Sequence, residues 1–133
     1  MTAITVQPTG VSPADVVAVA RDAARVELAP AAVEAMATSR SIVDAIERSG
    51  RPVYGVSTGF GALANTFIEP RRRAELQHAL IRSHAAGVGP PMPREVVRAM
   101  ILLRVRSLAL GHSGVRPLVA QSLVDLLNTD VTP

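Results

Sequence analysis

The chain has no cysteine, no tryptophan and no lysine, and only three aromatic residues among its 133: Tyr54, Phe60 and Phe67. Each absence excludes a class of chemistry. Without cysteine there are no disulfides, thiolate metal sites or cysteine nucleophiles. Without lysine there is no phosphate-loop lysine, Schiff base or lysine general base. With so few rings, any core must be built from Ala, Val, Leu, Ile and Met, a mixture that suits helices packed closely on helices. Long hydrophobic runs are missing too. Stretches such as Ala99–Leu103 stop at charged residues after five positions, far short of the roughly 18 that a membrane span needs. Residues 1–10 lack the basic and apolar segments of a secretory signal. These features lead us to expect a soluble cytoplasmic protein with no membrane partner.

What is present is 48% hydrophobic residues and a net charge of +3, with arginine supplying every basic side chain. That is enough for one compact domain with a modest core. Residues 1–11 mix β-branched residues, proline and glycine, predicting an extended arm or a short strand. Ser12-Pro13-Ala14-Asp15 reads as a helix start, with an N-cap serine, a proline at N1 and an acid at N3. The first helix is expected to run to about Leu28. A second opens at Ala29-Pro30 and continues through Val33, Met36, Val43 and Ile46 to Gly50, so that helices occupy 12–49. Helical spacing resumes near Glu69-Pro70 and ends by Gly87; Pro93 opens a long helix to Gly111. The last helix spans about Val115 to Leu127, with Leu118, Val119, Leu123 and Leu126 on one face. The expected architecture is all-α: about five helices, two groups at 12–49 and 69–128, around a loop at 50–68.

That loop is rich in glycine. Residues 50–61 hold four glycines and a proline in twelve positions, a density that no helix survives. The spacing fits neither G-x-G-x-x-G nor a phosphate loop with its lysine. Glycines also let a backbone approach a ligand closely and allow a loop to swing. Tyr54, the sole tyrosine, sits at the base of the loop. Two readings of it stand: a group that meets substrate or acts as a base, and a tyrosine packed on helices with its hydroxyl satisfied. His84 likewise reads as a ligand-binding residue or as a helix C-terminal histidine favoured by the dipole. His78 lies six residues earlier, roughly 600° around an ideal helix and so on another face. Neither His78 nor His112 has an Asp, Glu or His at H-x₃-H spacing, which argues against a metal site. The run Arg71-Arg72-Arg73 opposes the dipole at a helix start and calls for acidic neighbours such as Glu75 or a second subunit. Without aromatic partners it falls short of a nucleic-acid stripe, so no nucleic-acid partner is expected.

Three motifs carry a resemblance. Tyr54-Gly55-Val56-Ser57-Thr58-Gly59-Phe60-Gly61, then Ser83-His84-Ala85-Ala86-Gly87-Val88-Gly89, are similar to two successive signatures of the aromatic amino acid ammonia-lyases. Arg106-Ser107-Leu108-Ala109-Leu110-Gly111-His112-Ser113-Gly114 resembles a third. The match spans about residues 50–128, in the family's order and spacing. One small departure is Ser57, where many relatives have Asn.

The resemblance implies roles. Tyr54 would be the base that takes a β-proton from an amino acid, on a loop that closes over the substrate. Gly61 would be a close backbone contact near the prosthetic group. The Ser83-His84 pair is similar to that of the histidine-specific members, where tyrosine-specific ones have His-Leu and phenylalanine-specific ones usually Phe-Leu. The implied reaction converts L-histidine to trans-urocanate and ammonia, in homotetramers whose active sites combine several subunits.

The family is further implied to use 4-methylideneimidazole-5-one, formed from an internal Ala-Ser-Gly. This chain contains no such triad; its Ser-Gly steps follow Arg48 and His112. Residues 1–133 are therefore expected to be the amino-terminal portion of a larger helical enzyme, inactive alone. The alternative from another class is a small helical interaction protein with no catalytic role.

Overall fold

The computed structural model describes residues 3–133. The elements run β1 Ile4–Val6, α1 Pro13–Arg21, β2 Val26–Leu28, α2 Pro30–Ser49, a 3₁₀ turn Gly61–Leu63, α3 Pro70–His84, α4 Arg94–Ala109 and α5 Pro117–Asn128. Five α-helices dominate, as the composition predicts. The chain divides into two compact units: Met1–Ile42 with Pro91–Pro133, and Val43–Pro90. Among the described residues no helix is long and apolar enough to cross a membrane.

In the first unit, α1 begins as its sequence dictates. Asp15 N–H donates to Ser12 Oγ (3.2 Å), and Ser12 N–H and hydroxyl both donate to Asp15 Oδ2 (2.8 Å each). This reciprocal box satisfies donors that a helix start leaves free. The Ser12 hydrogen bonds hold the Asp15 carboxyl below its ordinary pKa.

The expected continuation of α1 to Leu28 does not occur. The helix ends at Arg21, Ala23 takes a positive φ of 52°, and Ala24 N–H donates to Ala18 O (3.1 Å). Residues 26–28 form β2 instead, parallel to β1 with Ile4 opposite Val26 and Val6 opposite Leu28. Pairing outweighs helix propensity here because Val6 and Val26 both reach the core. The far edge of β2 is closed by one side chain: Asn128 Oδ1 accepts from Val26 N–H (2.9 Å) and its Nδ2 donates to Val26 O (2.8 Å).

Helix α4 packs on α1, α5 and β1. Ile101, Leu102, Val105 and Ala109 meet Val19, Val26, Val124 and Leu127 in one core. A second cluster joins Met36 of α2 to Leu108 and Ala120. The apolar face of α5 is rotated from the expected one: Ala120, Val124 and Leu127 are buried, whereas Leu118 and Val119 are exposed. Small Ala120 lets the helices approach, a preference that counting large apolar residues overlooks.

Among the described residues of this unit, Arg98 is the one charged residue that is buried, 1% exposed. Its Nε donates to Val19 O (2.9 Å), and its Nη1 donates to Leu127 O (3.0 Å) and to Asp130 Oδ1 (3.3 Å). Asp130 also pairs with Arg94. Burial, then the neighbouring Arg94 charge, push the Arg98 pKa down; the carbonyls and Asp130 offset that cost.

The turn after α4 explains the third motif. Gly111 has φ +72°, and a Cβ there would lie 2.8 Å from the Ala35 backbone. Gly114 N–H donates to Ser39 Oγ (3.0 Å). Both contacts seat the turn on α2, so this motif has a packing role.

The second unit holds the end of α2, the glycine-rich segment and α3. Each arginine of the basic run finds an acid: Arg71 with Glu69 (2.6 Å), Arg72 with Glu75 (3.6 Å) and Arg73 with Glu47 (2.5 Å). Glu75 thus meets its expected role, although Glu69 and Glu47 share it.

Candidate active site

The segment 51–68 is built around a tight turn. Val53 C=O accepts from the N–H groups of Val56 and Ser57 (3.0 Å each), which places Tyr54 and Gly55 at the tip. Gly55 has φ +70°, a conformation open chiefly to glycine. Beyond the turn the chain doubles back. Ile68 N–H donates to Ser57 O (2.9 Å), Gly59 N–H donates to Thr66 O (3.1 Å), and Thr58 bridges Phe67. A Cβ on Gly59 would fall 2.5 Å from Leu63 Cβ, so only glycine admits the 3₁₀ turn that follows.

This scaffold projects Tyr54 outward, 63% exposed. The Phe60 ring stands edge-on to Tyr54, with centroids 5.9 Å apart and planes at 84°, an orientation that aromatic quadrupoles favour. Tyr54 and Phe60 form one wall of an open cleft of about 510 Å³; Leu80, Ile81 and His84 form the other. Among the expected site residues, Tyr54 and His84 therefore meet on one cavity. Ser83 does not line it. Gly61 has φ +55° with open space where a Cβ would lie, so nothing in this chain occupies the volume beside it.

The hydrogen bonds at the end of α3 determine what His84 can offer. Its Nδ1 lies 2.9 Å from Leu80 O and 3.0 Å from Ser83 Oγ. A carbonyl only accepts, so a ring nitrogen at that distance must carry the proton. The Ser83 hydroxyl donates to the same carbonyl (2.8 Å). A neutral His84 is therefore held as the Nδ1–H tautomer, with Nε2 a bare acceptor. Ser83 acts on this ring from behind.

Nothing in the residue types of Phe60, Leu80 and Ile81 marks them as lining a site. The signal existed for Leu80, since positions i and i+4 share a helix face with His84. Ser57 was noted only as a departure from the common pattern. It is 1% exposed and bonded on both sides.

Comparison with known proteins agrees with these motifs. Residues 11–133 match the family described as aromatic amino acid lyase. Histidine ammonia-lyase of Streptomyces griseus is 56% identical over 133 residues, which is all of this chain and 26% of that protein. Tyrosine aminomutase from Streptomyces globisporus superposes with a TM-score of 0.92 at 34% identity, over 99% of this chain and 25% of its own. Histidine ammonia-lyase from Trypanosoma cruzi gives 0.84 at 34% identity, over 96% of this chain and 24% of its own. The chain spans about a quarter of the length of these relatives. With the family match covering nearly its whole length, this chain belongs to the aromatic amino acid lyase family.

Proposed function

We propose that these residues are the amino-terminal part of a histidine ammonia-lyase, a cytoplasmic homotetramer that converts L-histidine to trans-urocanate and ammonia in histidine degradation. The observation that carries the reading is the meeting of Tyr54 and His84 on one cleft. In the reaction the Cβ–H and Cα–N bonds break. The electrons of the C–H bond become the Cα=Cβ double bond, and nitrogen leaves with its pair as ammonia. Tyr54 takes the β-proton at its side-chain oxygen. His84 Nε2 accepts the N–H of the substrate imidazole, and Ser83 with Leu80 O keeps that nitrogen free to accept. Phe60, Leu80 and Ile81 supply the apolar surface of the cleft.

A 4-methylideneimidazole-5-one group, when present in such a lyase, supplies the electrophile that makes the β-hydrogen acidic and ammonia a better leaving group. Its Ala-Ser-Gly precursor occurs nowhere in these 133 residues. The chain does not supply the group. For the same reason the 133-residue chain alone is inactive on L-histidine.

The test is urocanate formation by a purified full-length polypeptide carrying this segment. Turnover of L-histidine is expected, and Tyr54→Phe should keep the fold while lowering kcat by about 10² to 10⁴. A folded, full-length protein without histidine turnover would sink the reading. It would favour the alternative of an interaction protein without catalysis, to which the exposed Val17, Val96 and Met100 lend support.

A further inference from the structure

Ser57 is nearly sealed from solvent, at 1% exposed, yet it belongs to the segment whose tip, Tyr54, is among the exposed residues. Its hydroxyl donates to Arg51 O (2.7 Å) and accepts from Val53 N–H (2.9 Å). Both partners lie on the chain entering the turn, before Tyr54. Its main chain adds two bonds: Ser57 N–H donates to Val53 O (3.0 Å), also before the turn, and Ser57 O accepts from Ile68 N–H (2.9 Å) in the returning segment. One residue thus ties together the chain entering the turn, the chain leaving it and the returning segment at 68. The turn 53–57 has no helix or sheet ladder to hold it. An exposed tip on such a turn keeps its position only as long as the bonds at its base are made.

We propose that Ser57 is the positioning residue for Tyr54. Its paired hydrogen bonds close the base of the turn and so fix where the phenolic oxygen stands against the cleft. The proposal rests on the reading of Tyr54 as the base. A hydroxyl serves because it offers one donor and one acceptor at a single atom. An amide has the same pair of capacities, which makes Asn a replacement able to restore both bonds. Alanine can make neither, and it leaves Arg51 O and Val53 N–H without their partner in a half-buried place.

The experiment uses the full-length polypeptide carrying this segment, with L-histidine and its β-deuterated form as substrates. Rates are expressed per folded protein, measured by circular dichroism and size exclusion. Ser57→Ala is expected to lower kcat by about 10- to 100-fold and to raise the β-deuterium isotope effect, because a misplaced base makes proton removal slower relative to other steps. Ser57→Asn should restore most of the rate and return the isotope effect towards its original value. A merely structural serine would lower the yield of folded protein and leave the isotope effect where it was. Ser57→Ala within about twofold of the original kcat, with an unchanged isotope effect, overturns the proposal. If the alanine variant is insoluble, Ser57→Cys, which keeps the shape and weakens both bonds, replaces it with the same two outcomes. Tyr54→Phe is run in parallel. If that variant keeps its rate, the assignment of the base has failed, whatever Ser57 does.

Discussion

Tyr54 and His84 line the same cleft, one from the tip of a glycine-bearing turn and the other from the last position of α3. Neither element would place a ligand alone. In its Nδ1–H tautomer, the one that bonds Leu80 O, His84 presents Nε2 as an acceptor, which fits a ring that brings an N–H or O–H. In the full-length polypeptide, replacing Ser83→His together with His84→Leu should lower kcat/KM for histidine by roughly 5- to 150-fold, the loss of one buried pairing. The phenol of tyrosine, with its hydroxyl further from the ring attachment, should gain. Competition kinetics with histidine, tyrosine and phenylalanine check this. An undiminished preference for histidine would place substrate choice outside these 133 residues.

Arg98 and Asp130 form a bridge whose two ends carry unequal weight. The Arg98 side chain is buried, whereas that of Asp130 is 64% exposed. Arg98→Ala should destabilise by about 2–5 kcal/mol, because it removes a large buried side chain and strands the carbonyls of Val19 and Leu127. Asp130→Asn removes a charge that is 64% exposed, keeps an amide oxygen that can accept from Arg98 and Arg94, and tolerates the positive φ at that position. Its effect should be about 0.2–1 kcal/mol. Urea denaturation of the two variants gives the comparison, and equal midpoint shifts would contradict it.

Two glycines with similar φ should respond differently to alanine. Gly50 (φ +66°) faces open space, so Gly50→Ala meets only backbone strain, about 1–2 kcal/mol. Gly111 (φ +72°) has the Ala35 backbone 2.8 Å from where a Cβ would sit. Gly111→Ala must therefore add a displacement of α2 or of the turn to the same strain, and should lower the thermal midpoint further. A smaller shift for Gly111→Ala than for Gly50→Ala would show that the turn does not press on α2.

The capping box at α1 makes a pH-dependent contribution whose sign follows from Asp15. Its folded pKa lies below the unfolded value, because Ser12 donates to the charged form. The stabilisation is therefore present above the ordinary carboxylate range and is lost as pH falls through the folded value. Asp15→Asn should be less stable than the original protein near neutral pH. That gap should narrow below about pH 4. Denaturation midpoints across pH 2–7 measure it, and a gap independent of pH would refute the assignment.

The isolated 133-residue chain should bind a hydrophobic dye or self-associate. Val17, Val96, Met100 and Leu103 are exposed on α1 and α4, and Leu118 and Val119 on α5. Grouped apolar exposure of this kind marks surfaces that pack on something else. Dye fluorescence and analytical ultracentrifugation test the expectation. A cooperatively unfolding monomer that binds no dye would count against it.

Local rules were enough for several features. The Ser12-Pro13-Asp15 start, the prolines opening α2 and α3, and the interruption at 50–61 depend on dihedral preference and capping within a few residues. The motifs at Tyr54 and Ser83-His84 were legible in the same way, as residue types at fixed spacing. Other features came from contacts between distant segments. Strand β2 replaces the end of the expected first helix because β1 and the Asn128 side chain supply its hydrogen bonds. The buried face of α5 turns on the close approach allowed by Ala120, and Arg98 is affordable in the core only because carbonyls from α1 and α5 converge on it. The cleft itself is of this second kind. Sequence alone determined which side chains have the functional groups for chemistry, since that is a property of residue type. Tertiary structure decided that Tyr54 and His84 face one cavity and that Ser57 braces the turn between Arg51 and Ile68, because those relations depend on where the chain returns in space.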